Sequence, residues 1–145
     1  MTHAFDTLIK DHRKVKHIIE ELQNSTAKAK RQTLLNNLKE ELKIHEKIEE
    51  SVVYPVLKAK STTKDLTLEA FQEHHIIDVL LEELEDINFK DETWKAKLTV
   101  LQENLEHHIS EEEEELFPKA NHALSDKTLD QIAENIELEK KNYSS

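Results

Sequence analysis

The chain has 145 residues, no cysteine, no glycine, two prolines and a formal net charge of −11. That length suits one domain with a sizeable core, and the missing turn glycines argue for helices over hairpin-rich sheets. Disulfides, thiolate metal sites and iron–sulfur clusters are excluded, and the acidity disfavours nucleic acid or an anionic membrane as partners.

The N-terminal region lacks a long apolar run, so neither a signal peptide nor a membrane span is expected, and the cysteine-free composition suits the cytoplasm. The first apolar stripe is Phe5, Leu8, Val15, Ile19 and Leu22, with His12 filling the missing position. It predicts a helix over about residues 3–23, with Thr2 as N-cap. The second stripe, Leu35, Leu38, Leu42, His45, Glu49, Val52 and Val56, predicts a helix over about 28–58, kinked at Pro55. Polar residues of segment 58–65 mark a loop.

A third helix is expected over about 65–88 from Ala70, His74, Ile77, Leu81 and Leu84. The fourth, over about 92–119 with Asp91 as N-cap, follows Trp94, Leu98, Leu101, Leu105, His108, Glu112 and Leu116. Ser125 opens a shorter segment to about residue 142 carrying Leu129, Ile132 and Ile136. Short connections favour antiparallel neighbours. The expected fold is therefore all-α, an up-down-up-down four-helix bundle with a short additional C-terminal helix, in one domain over residues 1–145.

The two halves repeat. DHRKVKHIIEEL (11–22) matches EHHIIDVLLEEL (73–84), and LKIHEKIEESVVYP (42–55) matches LEHHISEEEEELFP (105–118). His12 pairs with His74 at an offset of 62 residues, and His45 with His108 and Glu49 with Glu112 at an offset of 63. Two facing halves place these residues about a pseudo-two-fold axis.

His12, His45, Glu49, His74, His108 and Glu112 interrupt otherwise apolar stripes. A histidine and a carboxylate four residues apart project from the same helix face, close enough to share a metal ion. Buried charges are normally paired or metal-bound, and imidazole with carboxylate suits iron, manganese or zinc. A lone core histidine is more often hydrogen-bonded than ligating, and a lone His-x-x-x-Glu is usually solvated. Six residues in register and in duplicate favour metal. His3 and His122 read as solvated, while His17, His75 and His107 sit beside the stripes. His107 with Glu111 is a competing register, but the leucine stripe favours His108 with Glu112. The remaining run of glutamates reads as a solvated face that could supply partners for the imidazoles.

The order His, His-x-x-x-Glu, His, His-x-x-x-Glu resembles the hemerythrin-like proteins, the HHE cation-binding family. DH (11–12), HEKIEESVVYP (45–55), EHH (73–75) and HHISEEEEELFP (107–118) carry the resemblance, over about residues 3–120. It implies two iron ions in an oxo- or hydroxo-bridged di-iron centre. His12 and His45 would bind one iron, His74 and His108 the other, and Glu49 and Glu112 would bridge them. Family members carry oxygen, sense oxygen or redox state, or handle peroxide or nitric oxide. Respiratory hemerythrins have a fifth histidine where this chain has Asp78, which is a possible seventh ligand, and their last helix uses a histidine and an aspartate five apart, whereas here the pair is His108 and Glu112, four apart.

Three functions follow. The leading one is a binding or sensing protein for dioxygen or a related diatomic or peroxide ligand. A second is an enzyme decomposing peroxide or acting on nitric oxide at the coordination space the absent histidine leaves, with Glu46, Glu50 or Tyr54 near enough to help with protons. The third is a metal-free interaction bundle. No protein partner is legible.

Overall fold

The computed structural model describes residues 3–143, so the expected cap at Thr2 lies outside the described residues. These residues form helices and short connections. The first pair is α1 (Asp6–Gln23) and α2 (Lys28–Ile48), and the second is α4 (Lys64–Asp86) and α5 (Trp94–Glu111). Each pair is an antiparallel hairpin, and α1 also packs on α5 and α2 on α4, which closes the up-down-up-down bundle. A fifth helix, α7 (Asp126–Tyr143), lies against α2. It is not short: its 18 residues equal those of α1. Ser125 Oγ accepts the Thr128 N–H at its start, as an N-cap should.

The long second and fourth helices do not run on as expected. Each opens into a five-residue π turn that ends two residues before its proline, Glu49–Val53 and Glu112–Leu116, and then resumes as α3 (Tyr54–Lys58) or α6 (Phe117–Ala123). Tyr54 N–H donates to Glu49 O and Phe117 N–H to Glu112 O, spans of five residues. Pro55 and Pro118 have no N–H to donate and their rings crowd the preceding turn, so a wider turn replaces the expected kink. The extra residue shifts the stripe by one. Val53, Tyr54 and Leu57 are buried, while the expected Val52 and Val56 are only partly so.

One expected cap is also displaced. α5 begins at Trp94 with Thr93 at its cap, and Asp91 Oδ1 instead accepts the Thr93 N–H at 2.7 Å. The core divides into two apolar clusters. One joins Phe5, Leu8, Tyr54, Leu57 and Phe117 to Leu129, Ile132 and Ile136 of α7. The other joins Val15, Ile19, Leu38, Leu42, Ile77, Leu84 and Leu105 to Trp94, whose ring lies 4.3 Å beneath the Arg31 guanidinium. Between them lies a polar layer. His12 follows Leu8 and precedes Val15 on α1, as His74 lies between Ala70 and Ile77 on α4.

Candidate metal centre

The polar layer contains all six residues singled out in the sequence, each buried. Their ligand atoms form two overlapping groups. His12, His45, Glu49 and Glu112 make one, and Glu49, His74 and His108 the other. His12 and His45 ring centroids are 4.9 Å apart, and those of His74 and His108 are 4.8 Å apart. His12 thus neighbours His45, and His74 neighbours His108.

Every ring turns Nε2 inward. His12 Nε2 lies 3.1 Å from Glu112 Oε1, and Glu49 Oε1 lies 3.2 Å from His45 Nε2 and 3.0 Å from His74 Nε2. His108 Nε2 sits 3.5 Å from Glu112 Oε1 and 3.8 Å from Glu49 Oε1. Each Nδ1 meets a different carboxylate. His12 meets Glu113 at 2.7 Å, His45 meets Asp11 at 3.1 Å, His74 meets Glu50 at 2.7 Å and His108 meets Glu73 at 2.6 Å. A carboxylate that takes the Nδ1 hydrogen bond fixes the ring and leaves the Nε2 lone pair free for a cation.

This outer ring obeys the duplication. Asp11 and Glu73 precede His12 and His74 in sequence and hold the histidines of the neighbouring helices. Glu50 and Glu113 follow Glu49 and Glu112 and hold the first histidine of the opposite half. The backing of the ring is unequal. Asp11 also accepts from Lys140 of α7 at 2.5 Å, whereas Glu73 stands beside Glu111 and the exposed His107. Glu111 is pushed up to about 7 by burial and by Glu69 and Glu73.

Inside the layer the charges are strongly coupled. Burial alone would lower His45, but Glu49 and Asp11 raise it to about 10. His108 is likewise raised, by Glu112 and Glu49 against the pull of burial. Burial works to raise Glu49, yet His45 and His108 hold it well below the ordinary carboxylate range; burial and the Glu49 charge push Glu112 up. His45 Nε2, His108 Nε2 and Glu49 Oε2 are buried with no hydrogen-bond partner. Buried inward atoms without a hydrogen-bond partner, in two ligand groups backed by four oriented imidazoles, fit cations.

Tyr54, one of the three residues placed near the site from the sequence, reaches its centre by a route the apolar stripe did not show. Its hydroxyl donates to Glu112 Oε2 at 2.5 Å, lies 3.1 Å from Glu49 Oε1 and is 3.2 Å from His74 Nε2. In an unbroken α-helix a residue five beyond Glu49 points well away from it. The π turn brings it over Glu49. The matching position in the second half is Phe117, which stacks on His12 as Tyr54 stacks on His74, so only the first half supplies a hydroxyl. The proline of each copy was the available signal.

Asp78 does not join the ligand groups; it is exposed and hydrogen-bonded to Glu46. Glu46 is itself buried, and burial together with Asp78 holds it as the neutral acid with a pKa of about 10. The competing pair His107 and Glu111 lies outside the layer, 3.0 Å apart. His17 is paired with Glu21, and His3, His75 and His122 are exposed. No helix among the described residues is long and apolar enough to cross a membrane.

A solved structure of a hemerythrin HHE cation-binding domain-containing protein from Mycobacterium kansasii superposes with a TM-score of 0.82 at 23% identity. The match covers 99% of this chain and 87% of that one. An uncharacterized hemerythrin-like protein of Schizosaccharomyces pombe is 27% identical over 143 residues, 97% of this chain and 70% of that protein. A DNA nickase of Nostoc sp. is 28% identical over 135 residues; the match takes in 93% of this chain but spans 38% of that longer protein. The hemerythrin HHE cation-binding domain profile matches residues 3–120, which contain all six inward residues and the carboxylates that orient them, and the chain belongs to that family.

Proposed function

We propose that this protein holds two iron ions at the polar layer and binds or senses dioxygen or a related small oxidant there. His12 and His45 would hold one ion, His74 and His108 the other, and Glu49 and Glu112 would span both. The observation that carries this is the orientation of the histidines: four Nε2 atoms face two shared carboxylates, and four separate carboxylates take the Nδ1 atoms. A simple buried hydrogen-bond network has no need of orphaned inward atoms. When bound, a pair of irons supplies redox electrons and coordination positions for an oxidant. The chain orients the rings, supplies compensating negative charge and excludes water by packing apolar clusters above and below. Tyr54 keeps an O–H directed at the two spanning carboxylates.

The test is metal content per chain with the visible absorption spectrum, on protein grown with iron. Two irons per chain with a charge-transfer band are expected. His108→Ala should lose metal and melt at a lower temperature. Full metal content with an unchanged melting curve in that variant would remove the ligand assignment.

The Tyr54 hydroxyl favours a second reading, turnover of peroxide, because it is a buried proton donor at the centre. On that reading Tyr54→Phe lowers peroxide consumption by ~10²-fold at unchanged iron content. An unchanged rate retires it.

A further inference from the structure

A small cavity of about 10 Å³, the room of one water molecule, adjoins the four histidines. Its other walls are Val15, Leu42, Ile77, Leu105, Ile109 and one carboxyl group, that of Glu46. On the outside, a groove of about 960 Å³ runs between α2 and α4, past Lys43, Asp78 and Glu82. Glu46 is the one residue that lines both spaces.

Its side chain is poorly anchored for so buried a group. It is hydrogen-bonded to Asp78 at the outer side, and its Oε2 is buried without a partner. The other half of the repeat is built differently. The position matching Glu46 is Ile109, buried and apolar, and the position matching Asp78 is Lys16, exposed on α1. One side of the pseudo-symmetric layer is thus sealed by packed hydrocarbon. The other is stopped by a single carboxylic acid whose outer partner stands in the groove.

We propose that Glu46 is a movable plug, and that a small uncharged ligand reaches the centre from the α2/α4 groove when its side chain swings outward toward Asp78. This rests on the metal-centre reading above. Glu46 gates by position: it sets the rate of passage without setting the affinity of the centre. Rotamer motion of a side chain with three rotatable bonds is fast compared with any backbone opening, so passage needs no helix to move.

Nitric oxide serves as a neutral diatomic probe, mixed by stopped flow with the ferrous protein while the nitrosyl absorption is followed. Glu46→Ala should speed association and dissociation together by ~10-fold, leaving the equilibrium constant and the iron content unchanged. Glu46→Leu, which copies the sealed side, should slow both. Ile109→Ala should leave both rates as they are. Melting curves establish that each variant is folded. Unchanged rates in both Glu46 variants, or equal acceleration in Ile109→Ala, overturn the gate. A Glu46 variant that loses iron or changes affinity overturns it too, in favour of a ligand role. A parent protein that takes up no iron fails earlier, at the metal centre itself.

Discussion

At the scale of residues, the centre is a problem of charge. Two glutamates and four histidines in an apolar interior are tolerable only if each polar atom has a partner. In the metal-free chain the partners are protons. His45 is raised to about 10, so its stabilising contribution is complete below its ordinary value of 6.5 and is lost as pH rises through about 10. Glu46 is raised from 4.5 to about 10, so the folded state keeps a proton that the unfolded chain has released. That contribution also decays as pH rises from 4.5 towards 10. The melting temperature of the metal-free protein should therefore fall steadily between about pH 6 and pH 9. With metal in place of the imidazole proton, the His45 part of that slope disappears and metal binding releases protons. Thermal melts of metal-free and metal-loaded protein across that range check the sign. A metal-free form that grows more stable with rising pH would contradict the assignment.

At the scale of elements, the π turns decide which side chains reach the layer. An α-helix advances about 100° per residue, so one additional residue in a turn re-aims everything beyond it. Deleting Ser51 from the first π turn should restore ordinary helical geometry with Tyr54 four residues beyond Glu49, still over Glu49 and Glu112. The variant should keep its far-UV helical signal, its buried Tyr54 donor and its metal. Denaturant unfolding and metal content measure these effects. A loss of ~1–3 kcal/mol, the cost of an unmet buried hydrogen bond, would show that the wide turn itself places Tyr54. The helices, their approximate ends and the four inward histidines were legible from the spacing of apolar residues, because that spacing is a local property. The π turns were not. Val52 and Val53 are both apolar, so the sequence pattern cannot distinguish a stripe that continues through Val52 and Val56 from one displaced to Val53 and Leu57.

Across the whole molecule, the layer is held by what lies on either side of it. α7 contributes Leu129, Ile132 and Ile136 to the cluster below the ligands, and Lys140 reaches Asp11 behind His45. Ile136 is fully buried, so Ile136→Ala should destabilise by ~2–5 kcal/mol, read from urea or guanidinium unfolding. A cost below about 1 kcal/mol, as for a surface position, would mean that α7 only rests on the bundle. The sequence by itself determined a helical bundle, an internal duplication and six polar residues in apolar stripes. Periodicity, spacing and residue type are properties of neighbouring positions along the chain. Only the tertiary structure decided that His12 leans on Glu113, that His108 leans on Glu73, that Tyr54 stands over both glutamates and that Glu46 divides the cavity from the groove. Those relations join residues as far as 101 positions apart, and burial against another helix, not local preference, gives them their energy.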